Sequence, residues 1–401
     1  MQRLKYFQEI SGDSLLQNPT TIENIFARTT LHSKRPVIAS PERAVGNRYA
    51  VKVAIICALP IEADAVEALF DCRLDDSVKA PGDPNAYSVG FVGRHNAVLA
   101  HLPGMGNNSA AIAATHLRRS FPDIQLALVV GICGGMPGSD MLLGDVVLSD
   151  GIVQYDFGRQ VLGHFRRKDT VVDILGRPQF EIRAILAKLK GRVGRRKLVE
   201  GLIEHLSTLG RHMDDAACYP GVEEDKPFEA AYHHKHRESS CCAVCSLRAD
   251  SVCDVALNTS CQELGFDEAR LVSRPRLEEA RSRPEQSDGS PRVIPAIHFG
   301  LVASGNSVMK SGELRDEISR KAGTIAFEME GAGVWDMFII KGDCDYADSH
   351  KNKRWQKYAA TAAAACMKAF LAELSTTITE FYHINYIMLG SHSEKACLST
   401  R

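Results

Sequence analysis

The sequence has no run of 18 or more apolar residues, the length a membrane-spanning helix would need. It has no excess charge of either sign: 48 Lys and Arg stand against 49 Asp and Glu, a net charge of −1. Nucleic-acid coats and membrane-surface proteins carry a positive excess, so neither is expected here. The opening Met1–Ser14 contains no apolar core of the kind a secretory signal requires. No Gly-x-Ser-x-Gly elbow supports Ser/His/Asp hydrolysis, and no internal repeat is visible. Cysteine is too sparse for a disulfide scaffold, at twelve in 401 residues, so reduced thiols in a cytoplasmic or nuclear protein are expected.

What remains is ordinary globular composition, 45% hydrophobic and 24% charged. Residues 1–48 lack a sustained period and read as an N-terminal arm. Val51–Leu59 is an apolar run of the buried-strand type, ended by Pro60, which suits the first turn of a helix. Tyr87–Val92 and Ala97–Leu102 flank Gly93–Asn96 as a hairpin would. An Ala-rich helix follows Pro103–Ser109, then come buried strands at Gln125–Val130 and Gly144–Ser149. Strand character fails over 159–292 and resumes at Ile297–Ala303 and Thr324–Phe327. A short helix is expected through Gly331–Asp336, a strand at Phe338–Lys341 and a final helix at Arg354–Leu374. Strands alternating with helices at this spacing predict an α/β domain over 49–380, with 159–292 as an irregular insertion and 381–401 as a tail.

Four segments carry chemistry, each at a strand end or helix start. Glu62 lies one turn into the first helix, where it also suits the helix dipole. Gly131-Ile-Cys-Gly-Gly135 follows a buried strand, and its paired glycines either let backbone N–H groups approach a ligand or form a tight turn. Phe327-Glu-Met-Glu-Gly331 places two acids at the end of an apolar strand, costly to bury unless they hold something polar. Asp343–His350 sets three carboxylates at a strand exit.

In this order the segments resemble the nucleoside phosphorylase/nucleosidase superfamily. The matching pieces are Ala58–Glu62, Gly131–Gly135 with Gly144–Val147, Ser304-Gly-Asn306, Phe327–Glu330 and Cys344–Asp348. Cys344–Asn352 looks most like fungal members, in which the domain often precedes ankyrin, tetratricopeptide or NACHT modules. The resemblance spans about 50–158 and 297–374. It implies one phosphorylase/hydrolase-like domain, a central mixed β-sheet flanked by helices. It implies Glu62 as the base that activates water, Asp345 as the acid toward the purine, and Glu330 as the ribose clamp with Met329 on the sugar. Gly134, Ser304, Gly305, Asn306, Glu328 and Lys341 complete the expected binding set. Lys341 stands where the methylthioadenosine/S-adenosylhomocysteine nucleosidase branch has an arginine, keeping charge without the fork. Val308 stands where a stacking aromatic is often seen.

Phosphorylases of the superfamily carry an arginine just before the Gly-rich turn; here that position is Val129-Val130. Hydrolysis is therefore the expected reaction, on adenosine-like nucleosides or nucleotides. Phosphorolysis and an inactive nucleoside-binding module are the alternatives. Expected partners are a small-molecule nucleoside or nucleotide, with phosphate in the phosphorolytic reading, and no nucleic acid or membrane. The resemblance implies a homo-oligomer. One departure weighs against activity: the link between Trp335-Asp336 and Ile339–Lys341 is about three residues short, which threatens the position of Asp345. Asp343 is an unexpected charge near the strand end.

No cofactor and no metal are expected. Cys242-Ala-Val-Cys245 is one CxxC without a second pair at regular spacing, so the His/Cys cluster from His233 to Cys261 reads as reduced surface thiols. The basic segment Lys188–Lys197 reads as a solvated helix face, within reach of a substrate phosphate tail. Gly104–Ser109 lacks the third glycine of a dinucleotide loop.

Overall fold

Continuous apolar runs, buried on both faces, build the central strands of the molecule. The computed structural model describes residues 48–74, 79–138, 140–170, 178–213, 218–237, 242–247, 251–282, 293–334, 337–351 and 353–374, all within the compact unit Ala44–Arg401. The expected arm, apart from Arg48, and the tail 381–401 lie outside them, as do Trp335 and Asp336 of the shortened link.

The strands are β1 (Val53–Cys57), β2 (Cys72–Leu74), β3 (Ala86–Val92), β4 (His95–His101), β5 (Leu126–Gly135), β6 (Val146–Gln154), β7 (Gly158–Val161), β8 (His164–Arg167), β9 (Ile297–Ser304), β10 (Thr324–Glu328) and β11 (Met337–Asp345). The helices are α1 (Pro60–Glu67), α2 (Asn107–Ser120), α3 (Phe180–Lys190), α4 (Arg192–His212), α5 (Ala243–Leu247), α6 (Asp254–Asn258), α7 (Pro275–Ser282), α8 (Gly312–Ala322) and α9 (Gln356–Glu373). Nine strands form one mixed sheet in the order β10-β9-β6-β11-β5-β1-β4-β3-β2. β5 is long enough to pair again at its far end, where Gly134 and Gly135 meet Phe327 and Ala326 of β10. That extra pairing closes β5, β11, β6, β9 and β10 into a ring and brings the ends of β5 and β10 together.

Strand periodicity sorts the core onto two faces. Val53, Ile55, Leu128, Val130, Phe338 and Ile340 pack with the Ala-rich α9 and with α1 and α4. Ala54, Ile56, Ala127, Val129, Met337 and Ile339 pack on the other side with Ala110 and Leu117 of α2. The α/β class, the mixed sheet and its flanking helices follow the sequence reading.

Three expectations need correction. Part of 159–292 is regular: α3 and α4 are amphipathic helices whose Leu186, Leu189, Leu198, Leu202 and Leu209 join the core. Of the helix expected through Gly331–Asp336, the described residues 331–334 form a single 3₁₀ turn, Gly331–Gly333, in keeping with the poor helix propensity of its glycines. β11 runs on through Asp345, so Asp343 lies inside a strand instead of at its exit. Among the described residues no helix is long and apolar enough to cross a membrane.

Candidate functional site

Glu62 is the third residue of α1, and its buried carboxylate folds back on the helix start. One oxygen, Oε2, accepts from the N–H groups of Ala58 (2.8 Å) and Leu59 (2.9 Å). The other, Oε1, accepts from Ile132 N–H at 2.8 Å, in the glycine-rich end of β5. Glu62 thus caps its own helix and ties it to the neighbouring strand. Only glycine fits at 131: a Cβ there would lie 2.0 Å from Glu62 Oε1. Burial raises the Glu62 pKa, against the pull of Lys341 and the backbone donors.

Lys341, on β11 opposite Gly131, is 1% exposed and donates to Glu330 Oε2 at 2.9 Å, with Glu62 Oε1 at 3.9 Å. Burial would drive the proton off Lys341, but Glu330, Glu62 and Glu328 outweigh it and hold the ammonium charged. Glu328 ends β10 and accepts from the N–H groups of Glu330 and Gly331, shaping the turn that carries Met329 and Glu330. Burial, with the Glu330 charge beside it, raises the Glu328 pKa.

Asn107, at the start of α2, joins this turn to β9. Its Oδ1 accepts from Ser304 Oγ (3.1 Å) and Gly333 N (3.1 Å), while Ser304 Oγ accepts from Ala332 N. Gly106 N points at Glu330 Oε1, 3.3 Å away. Asn306 is exposed, accepts from Asn107 N and donates its own N–H to Asp156 at 2.7 Å. Gly305 lies against the Tyr155 ring, and Tyr155 meets Phe327 edge to face at 5.8 Å. Val308 is 45% exposed, so Tyr155 and Phe327 are the aromatic surfaces near Ser304–Asn306.

Asp345 ends β11. Its register against β5 shifts between Asp343 and Asp345, which leaves Cys344 as an extra residue and re-aims the strand end. Asp345 Oδ1 accepts from Ala347 N (2.8 Å) and sits 2.9 Å from Lys351 Nζ. Ala347 holds a positive φ of 50°, unusual for a residue with a side chain. Gly134 must be glycine, because a Cβ would fall 2.7 Å from Asp345 Oδ1. Asp343 is fully buried; Cys133 Sγ donates to its Oδ1 at 2.9 Å, and Oδ2 has no hydrogen-bond partner among the described residues. Burial pushes its pKa well above the ordinary carboxylate value.

The structure therefore gathers Glu62, Glu330, Lys341 and, through the same turn, Glu328, Met329 and Ser304. Asp345 lies further along β11, and no hydrogen bond or ion pair among the described residues joins it to Glu62 or Glu330. Trp335 and Asp336 fall outside the described residues, while Met337 and Phe338 of the shortened link already pair with β5. The basic segment is not at this site. Arg195 donates to the carbonyl of Ile297, at the far end of β9 from Ser304, and Lys190 pairs with Asp150 at 2.7 Å. The sequence offers Asn107 as a cap at the start of α2; the structure uses its side chain to tie β9 to the turn after β10. Nothing in the sequence singles out Lys351.

Residues 52–204 match the family model described as the phosphorylase superfamily. This segment belongs to the phosphorylase superfamily. The superfamily match runs through α3 and most of α4, within the stretch read as an insertion. The chain is 32% identical over 355 residues to a nucleotide-binding leucine-rich repeat (NLR)-like protein of Hyaloscypha variabilis, covering 85% of this chain and 30% of that protein. It is 31% identical over 109 residues to a 5′-methylthioadenosine/S-adenosylhomocysteine nucleosidase of Mycobacterium bovis, covering 27% of this chain and 40% of that one. The chain thus spans well under half the length of these relatives. Among solved structures, the Helicobacter pylori 5′-methylthioadenosine/S-adenosylhomocysteine nucleosidase is 14% identical, with a TM-score of 0.47 over 81% of this chain and 99% of its own. Futalosine hydrolase of the same organism gives the same identity and TM-score over 82% and 100%.

Proposed function

We propose that this superfamily domain hydrolyses the N-glycosidic bond of adenosine-like nucleosides or nucleotides. The observation that carries the reading is the buried Glu62 carboxylate, pinned by three backbone N–H groups beside Lys341. A carboxylate whose pKa is raised by burial is a better proton acceptor than a solvated one. Water attacks the anomeric carbon of the ribose and gives its proton to Glu62. The bond from that carbon to the base breaks and its electron pair moves into the purine. Asp345, carrying a proton once Lys351 is displaced, gives it to the ring; Glu62 then releases its proton to solvent and Asp345 takes one up. Glu330 holds the ribose hydroxyls, and the products are free base and ribose. The substrate must displace Lys351 from Asp345 for the acid to reach the base.

Charge favours water over phosphate. Within β5 the two residues before the glycine-rich end are Val129 and Val130, both buried in the core. The cation facing Gly131, Lys341, is already matched by Glu330 and Glu62. Among the described residues, an incoming phosphate dianion would meet carboxylates whose neighbouring cation is already paired.

The test is a panel of nucleosides and nucleotides, with and without phosphate, followed by assay of free base, ribose and ribose 1-phosphate. Base and ribose released without phosphate is the expected result. Release that needs phosphate reverses the reading to phosphorolysis. Binding without release, unchanged by Glu62→Gln or Asp345→Asn, replaces it with a nucleoside-binding module.

A further inference from the structure

Away from this site, four side chains that the sequence spaces irregularly come together. His236 Nδ1 lies 3.6 Å from Cys245 Sγ and 3.5 Å from Cys253 Sγ. With Cys242, the four ligand atoms all fall within 4.8 Å of one another. A tetrahedral site with Zn–S of about 2.3 Å and Zn–N of about 2.0–2.1 Å has ligand-to-ligand edges of about 3.5–3.8 Å. The two His236 contacts already have that length. All three cysteines are free thiols.

The surroundings suit bound thiolates. Ala256 N–H donates to Cys253 Sγ at 3.3 Å, and the N–H of Cys245 bonds the Cys242 thiol. N–H groups three residues on from a cysteine favour the thiolate, the form a metal binds. Lys235 donates to the Cys245 carbonyl at 3.0 Å, which ties the start of the lobe to α5.

The lobe also needs a staple. Its core is Cys245, Ala256 and Leu264, while Leu247 is 76% and Val255 67% exposed. α5 and α6 have five residues each, too short to persist without tertiary support. Segments this small are usually held by disulfides, metal or assembly.

We propose that His236, Cys242, Cys245 and Cys253 bind a structural Zn²⁺ that fastens this lobe against the segment after β11. The link to that segment is direct. His234 N–H donates to Ser349 Oγ at 3.0 Å, His350 bonds the Tyr232 carbonyl, and the His350 ring stacks on Phe228 at 4.4 Å. His234, Cys261 and His350 form a neighbouring group of three donors, one short of a closed tetrahedral set. The measurement is therefore a difference, in which any metal held there cancels.

Zinc per chain is measured by atomic emission in the full protein and in Cys242→Ser/Cys245→Ser, both purified without chelator. The variant loses one equivalent. Equal zinc in both, or an intact mass showing a Cys242–Cys245 disulfide in metal-free wild type, overturns the proposal. If the variant is insoluble, wild-type protein is alkylated before and after chelator treatment and mapped by peptide mass. Cys242, Cys245 and Cys253 should become reactive only after chelation, whereas the exposed Cys72 and Cys218 react throughout. Equal reactivity of the two sets before chelation overturns it as well.

Discussion

Lys341 donates to Glu330 at 2.9 Å with both side chains out of solvent, and Glu62 closes the same cluster at 3.9 Å. Breaking a buried pair by removing one partner typically costs about 3–5 kcal/mol, because the other charge is left unmatched. Lys341→Met should destabilise the fold by roughly that amount in urea denaturation. Adding Glu330→Gln should recover part of the loss. Equal stability of Lys341→Met and wild type would show that the cluster is not charged.

If Glu62 is the base, Glu62→Gln should lower base release by about 10²- to 10⁴-fold. The pH profile gives a second check. The folded Glu62 pKa lies above 4.5, so the ionised base is lost as pH falls through that raised value and turnover falls with it. The acidic limb should vanish in residual Glu62→Gln activity. A limb of unchanged position in the variant would assign it to another group.

Gly131→Ala tests geometry without removing a functional group. The new Cβ would overlap Glu62 Oε1, so the carboxylate must leave its place against Ile132. A shift near 1 Å can cost on the order of 10²-fold in rate. We expect kcat to fall by about that factor. Wild-type turnover in Gly131→Ala would remove Glu62 from the reaction.

Asp343 makes a prediction about stability alone. Its folded pKa is raised by burial above the ordinary 3.8, so its favourable contribution is full below that value and declines as pH climbs toward the folded pKa. The decline is up to about 1.4 kcal/mol per pH unit over that window. Asp343→Asn should therefore be more stable than wild type at neutral pH, with the advantage gone at pH below the unfolded value. Denaturation midpoints of the two proteins across pH measure this, and parallel curves would refute it.

Much of the architecture was legible because strand and helix periods are local. Val51–Leu59, the hairpin around Gly93 and the Ala-rich α9 all announce burial within their own few residues. The turn after β10 shows the limit of local pattern: the stretch from Gly331 reads as a helix, yet its described glycines form one 3₁₀ turn. Asp343 follows the apolar run Phe338–Lys341 in the sequence and so reads as lying at a strand exit. The strand continues because burial, with Cys133 beside the carboxyl, lets the acid enter the core in its neutral form.

The alternation of elements, the glycines that allow close approach and the carboxylates at strand ends are all local features of the chain. Which of those groups meet depends on how the segments pack in three dimensions. Lys341 and Glu62 are far apart along the chain and become neighbours because β11 and β1 flank β5. His236 and Cys253 converge because the lobe folds over its small core. Periodicity reports how each residue faces its own segment, whereas the distance between segments depends on how strands are ordered and how the core packs them.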